Sequence, residues 1–127
     1  MKSLLIVALG GGLGSMARYS LSAWVLHHTA DWKFPLGTFA VNVLGCFVAG
    51  LLAALAERHD LLSPEARLLL FTGLLGGFTT FSAFGLETMF LIRRGELLVA
   101  GAYVAASVLF GLVAFWLALK LVTLLGR

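Results

Sequence analysis

Four apolar runs, at about residues 3–26, 34–56, 66–92 and 97–125, take up nearly the whole chain. A helix needs roughly 20 predominantly apolar residues to cross the hydrocarbon core of a bilayer, and each run supplies them. The composition agrees: 61% of the 127 residues are hydrophobic and 12% are charged, with a mean hydropathy of +1.03, too apolar for a water-soluble domain of this size. The expected fold is all-α and integral to a lipid bilayer, a single membrane domain over residues 1–127 with four transmembrane helices. Lys2 followed by Leu4 to Leu9 imitates a signal peptide, but the apolar stretch continues through glycines to Arg18 without a cleavage site, so it reads as the first span.

The third run contains T-G-L-L-G-G-F-T-T-F-S-A-F at residues 72–84, with three glycines, three threonines and a serine. Hydrocarbon offers no water to a broken backbone, so irregular chain at membrane depth persists only inside protein or beside a wet cavity. The third span is therefore expected to be broken within residues 76–82, at Gly76 and Gly77, and to resume through Phe81. Phe78, Phe81 and Phe84 recur every three residues and, if helical, form a stripe beside the hydroxyls of Thr79, Thr80 and Ser82. Such a stripe is either plain core or a row of positive ring edges which, with amide and hydroxyl donors, holds an anion weakly enough to let it pass. Unwound carbonyls near Gly76 suit a hard cation instead. One chain supplies too few, whereas two chains together suffice for a structural monovalent ion; the alternative is that threonine side chains satisfy those carbonyls.

Several polar residues stand inside the other runs. Thr38 and Asn42 share a helical face with Gly45 one turn on, so Asn42 is an interhelical hydrogen-bonding residue or a ligand donor. Glu87 is placed to carry protons, as a coupled transporter needs, or to accept hydrogen bonds from donors around the break. Arg18 lies too deep for an ordinary end-of-helix charge; it snorkels, pairs with a carboxylate such as Glu87, or attracts anions to a vestibule. Tyr103 and Ser107 stand four apart and offer two hydroxyls to one cavity, unless Tyr103 is an interfacial tyrosine. Gly10 with Gly14, and Gly11 with Ser15, give the first span a face for close helix packing. Ser63 followed by Pro64 reads as the start of the third helix.

The net charge of +3 comes mostly from basic residues at span ends and gives no support for a nucleic-acid partner. Lys2, Arg58, Arg67, Lys120 and Arg127 fall on the side of the termini, against Lys33, Arg93 and Arg94 on the other. Five against three is a weak orienting bias, which permits insertion both ways and hence an antiparallel dimer. The lone Cys46 forms no internal disulfide. No metal-ligand cluster, Ser/His/Asp arrangement or close carboxylate pair is present in the pattern, so the chain is not expected to be an enzyme.

Three motifs carry a family resemblance: G-G-L-G-S-M-A-R-Y at residues 11–19, G-T-x-x-V-N-x-x-G at 37–45, and T-G-x-x-G-G-x-T-T-F-S-x-F at 72–84. With them the chain resembles the Fluc (CrcB-type) fluoride channels over essentially its full length. The resemblance implies an antiparallel, dual-topology homodimer in a bacterial inner membrane, passively exporting cytoplasmic fluoride through two pathways. It implies Asn42 as an amide donor to fluoride, Phe81 and Phe84 as rings lining each pore, and Ser82, Tyr103 and Ser107 on the polar side, with Arg18 in the vestibule. It also implies a sodium ion at the dimer centre, held by the backbone carbonyls of Gly76 and Thr79 from both subunits. Ala83 and Gly85 depart from the family pattern where hydroxyls are usual, and Phe115 stands where another is expected, so the hydroxyl track is interrupted beyond the rings. The rival readings are a small dual-topology proton-coupled exporter relying on Glu87, and a non-transporting scaffold subunit.

Overall fold

The computed structural model describes residues 1–126, apart from the side chain of residue 59. Arg127, counted above among the terminal-side cations, lies outside the described residues. Helix α1 (Lys2–His28) and helix α2 (Leu36–His59) form the first two apolar stretches, and α6 (Leu97–Leu125) forms the last. The third is composite: α3 (Pro64–Arg67), a π-helical stretch (Leu68–Leu75), α4 (Gly76–Phe78) and α5 (Phe81–Arg93). Among the described residues four segments are long and apolar enough to cross a membrane: Lys2–His28, Leu36–Arg58, Pro64–Arg93 and Leu97–Leu125. This is a multi-pass membrane protein.

Local chemistry sets the turns. Ser63 Oγ accepts from the Ala66 N–H at 3.1 Å with Pro64 at the first helical position, the start that the sequence signals. Gly95 has φ +80°, a conformation that glycine adopts without strain, and turns the chain from α5 into α6. Lys2 meets Glu65 at 3.3 Å at the end carrying the N-terminus, and Lys33 meets Glu96 at 2.6 Å at the other.

Gly10 and Gly14 of α1 serve close packing, against the third segment. A Cβ on Gly10 would lie 2.7 Å from the Leu69 carbonyl oxygen and 2.9 Å from Gly73 Cα, and one on Gly14 would overlap the Leu74 carbonyl. Gly77 faces the Gly11 backbone in the same way. α2 and α6 meet through Gly50, where a Cβ would come 2.8 Å from that of Ala118. Tyr103 and Val41 are fully buried, and Leu91, Ala100 and Tyr103 form a core cluster with Phe34, Phe39 and Phe84 against it. Large apolar side chains such as Leu9, Leu98 and Leu112 face outward, as a lipid-facing surface requires.

Gly76 and Gly77 are helical, so the interruption is not at the glycine pair where it is expected. Extended backbone falls instead at Thr79 (φ −80°, ψ 155°) and Thr80 (φ −148°, ψ 114°). The physical reason is that Gly77 is needed for its approach to Gly11, which a helical backbone permits, while Thr80 has hydrogen-bond partners outside the ladder.

Candidate functional site

One face of α2 reads the third segment residue by residue. Asn42 Nδ2 donates to the Thr80 carbonyl at 3.0 Å, and the Thr80 N–H donates to Asn42 Oδ1 at 2.8 Å. A Cβ on Gly45, one turn on, would overlap the Thr79 methyl, so the absence of a side chain there admits the extended residues. One turn earlier, Thr38 Oγ1 donates to Glu87 Oε1 at 2.7 Å. Asn42 is thus an interhelical hydrogen-bonding residue, and its amide keeps one N–H beyond the bond to Thr80.

These bonds redirect the helical ladder. In an unbroken helix the Thr80 N–H would go to the Gly76 carbonyl and the Ala83 N–H to the Thr79 carbonyl. The first goes to Asn42, and the second goes to Thr80 Oγ1 at 3.2 Å, which caps α5. The Gly76 and Thr79 carbonyls are thereby released from those bonds. The Gly77 carbonyl between them accepts from Arg18 Nε at 3.0 Å and Ser15 Oγ at 3.4 Å. Arg18 therefore does not pair with Glu87; among the described residues it holds a carbonyl beside the extended segment.

Each oxygen of Glu87 accepts from a donor on another helix. Tyr103 OH donates to Oε2 at 2.7 Å, opposite the Thr38 bond on Oε1, so its donors come from α2 and α6 and not from the extended residues. Tyr103 is buried rather than interfacial, edge-on to Phe34 at 5.3 Å between centroids and tilted against Phe84 at 5.1 Å. Its hydroxyl and that of Ser107 consequently part company, one towards Glu87 and the other into a separate groove.

That groove, about 300 Å³, is lined by Asn42, Thr79, Thr80, Phe81, Phe84 and Ser107, with Cys46 and Val108. Ser107 Oγ is buried there without a hydrogen-bond partner among the described residues, which in an apolar setting calls for a ligand or water. Phe81 and Phe84 stack at 5.6 Å, and Phe81 is 84% exposed. Phe78 is not in this stripe: it ends α4, before the extended residues, and packs near Gly45. Ser82 is exposed, 3.4 Å from Thr80 Oγ1. Gly85 has open space around it, so no side chain continues the hydroxyls on that side.

The arrangement favours a small hydrogen-bonding anion. Amide and hydroxyl donors, ring edges and the N-terminal turn of α5 converge on the groove, and among the described residues no carboxylate lines it. Among the described residues no group of three His, Cys, Asp or Glu side chains could hold a metal, so the released carbonyls of Gly76 and Thr79 are the oxygen donors to consider for a cation. Sequence reasoning missed Thr80 as the cap of α5 and as the partner of Asn42, and Ser15 as a donor to Gly77. A threonine three residues before Ala83 at a helix restart was the available signal for the cap; nothing local marked the others.

Comparison with known proteins adds identity to this geometry. The profile of the family described as CrcB-like protein, Camphor Resistance (CrcB), matches residues 5–119. The chain is 55% identical over 122 residues to a Methylobacillus flagellatus protein named fluoride-specific ion channel FluC, covering 96% of this chain and 95% of that one. It is 53% identical over 108 residues to a Rhizobium etli protein of the same name, covering 85% and 86%. It is 42% identical over 116 residues to one from Flavobacterium psychrophilum, covering 91% and 93%.

Proposed function

The chain belongs to the CrcB-like protein family, and we propose on that premise that it is a fluoride-specific ion channel of the bacterial inner membrane, not an enzyme. Its role is passive: fluoride that accumulates in the cytoplasm leaves down its gradient, which lowers its toxicity. The observation that carries the reading is the groove in which Asn42, the partnerless Ser107 hydroxyl and the Phe81–Phe84 pair come together.

Fluoride is a compact acceptor whose hydration must be replaced for it to pass. Asn42 offers its remaining N–H, Ser107 its O–H, and Phe81 and Phe84 their positive ring edges. None of these is a full charge, so the ion is held weakly and moves on. Arg18 acts at the mouth and Ser82 extends the polar side, while the Tyr103 hydroxyl, bonded to Glu87, stands apart from this groove and Tyr103 contributes only its ring packed on Phe84. The third segment works as a broken span, because the extended Thr79–Thr80 backbone is what presents these groups at membrane depth.

A single chain leaves Phe81 84% exposed, and a pore wall needs a second side. An antiparallel, dual-topology homodimer supplies it, consistent with the weak charge bias of the sequence. Two chains meeting at their extended segments would bring four released carbonyls together, Gly76 and Thr79 from each, a donor set that fits a sodium ion. Bound there, sodium supplies a fixed positive centre that ties the two segments together.

A proton-coupled exporter is not favoured, since both oxygens of Glu87 are engaged by Thr38 and Tyr103. The deciding test is fluoride efflux from liposomes carrying the purified protein, with chloride as control. Rapid fluoride release without chloride release supports the channel, and no fluoride release from folded protein overturns it.

A further inference from the structure

At the end of the molecule where α2 and α6 finish there is a second concavity, about 530 Å³, lined by Ala54, Glu57 and Arg58 of α2 and by Trp116, Lys120 and Thr123 of α6, among others. Arg58 is anchored there. Its Nη1 donates to the Val122 carbonyl at 2.8 Å and its Nη2 to the Gly126 carbonyl, so it closes the open carbonyls at the end of α6. Among the described residues two of the five N–H donors of the guanidinium are thus used, and the rest have no acceptor there. The Lys120 ammonium stands 5.7 Å from the centroid of the Trp116 ring, one turn below it on the same helix. Glu57 adds a carboxylate to the same wall.

We propose that this groove seats the headgroup of an aminophospholipid, with its phosphate on Arg58 and Lys120 and its primary ammonium on Glu57. Depth supports it: Arg58 is the last residue of the second membrane-crossing segment, and Lys120 is five residues before the end of α6, about 7.5 Å along the axis. Both lie at headgroup level, with Trp116 reaching towards the acyl chains as interfacial tryptophans do. Charge selects the lipid class. Two cations beside one carboxylate match a phosphate next to an ammonium. A choline headgroup has no N–H for Glu57, and a phosphatidylglycerol headgroup leaves Glu57 facing no cation. The proposal is independent of the anion groove and of the fluoride reading.

Trp116 is a built-in reporter. In a Trp24→Phe/Trp32→Phe variant, quenching by phosphatidylethanolamine with brominated chains is expected to be about threefold stronger than by brominated phosphatidylcholine or phosphatidylglycerol, the scale of one exposed ion pair. Glu57→Gln should bring phosphatidylethanolamine down to the phosphatidylcholine level and leave fluoride efflux unchanged. Should the tryptophan variant fail to fold, native mass spectrometry of the wild-type protein with an equimolar mixture of the three lipids gives the same readout. Equal retention of the three lipids, a preference for phosphatidylglycerol, or an ethanolamine preference that survives Glu57→Gln would each overturn the proposal.

Discussion

The side chain of Asn42 holds the peptide of Thr80 from both sides, donating to its carbonyl at 3.0 Å and accepting from its N–H at 2.8 Å. A primary amide is the side chain that can mirror a peptide in this way, one donor and one acceptor in a plane. It replaces the ladder bond of the Thr80 N–H and adds a second donor to the Thr80 carbonyl, so the extended backbone at Thr80 is held by α2 instead of being left unsatisfied in hydrocarbon.

Asn42→Ala should therefore lose fold stability and flux together. Removing both bonds leaves the Thr80 N–H without a partner, while its carbonyl keeps only the first bond of α5, a cost of about 1–3 kcal/mol. Thermal unfolding in detergent should drop by several degrees, and fluoride efflux by about tenfold or more; a variant with wild-type efflux would remove Asn42 from the pathway.

Phe81→Ile separates the pore from the scaffold. Phe81 is 84% exposed and stacks on Phe84, so the change removes ring edges with little loss of packing within the chain. Fluoride efflux should vanish while the stability of the fold within each chain changes by only about 0.5 kcal/mol. Efflux at the wild-type rate would place the pore elsewhere.

Glu87→Gln discriminates between channel and coupled exporter. One of the hydroxyls of Thr38 and Tyr103 keeps donating to the amide oxygen while the other turns to accept from the amide N–H, so the fold should survive with a loss of about 1–2 kcal/mol. A channel keeps measurable fluoride efflux that does not depend on a proton gradient, whereas an exporter loses coupled transport outright.

Gly14→Val and Gly12→Ala form a matched pair on α1. The first drives a side chain into the Leu74 carbonyl and should cost about 3 kcal/mol or prevent folding, while the second meets nothing within 4 Å and should be neutral. Equal unfolding temperatures for the two would contradict the backbone contact between α1 and the third segment.

The proposed sodium site predicts a cation dependence. Protein exchanged extensively into a sodium-free, N-methylglucamine buffer should lose fluoride efflux and dimer stability, and regain both on adding sodium. Unchanged efflux and unchanged dimer stability after complete exchange would remove the carbonyls of Gly76 and Thr79 from any metal role.

Much of this architecture was legible because each piece is a local property. Residues 72–84 announced an unusual third span by composition, and Ser63-Pro64 announced its start. What was misread was assigned by composition to the wrong atoms. Gly76 and Gly77 looked like the interruption, yet Gly77 is small so that α1 can approach. Phe78 shared the three-residue period of Phe81 and Phe84, but the period fails across two extended residues.

Four membrane spans follow from the amino-acid order alone, since a chain this apolar must satisfy its backbone internally and each run has the length for one helix. The partners emerge from the packing of the helices: Asn42 with Thr80, Arg18 with Gly77 rather than Glu87, and Glu87 between Thr38 and Tyr103. The reason is physical. A mid-span polar group must find a partner somewhere, which residue type alone reveals, but which partner it finds depends on helices tens of residues away being packed in one register. Glycine contacts on α1 and α2 set that register.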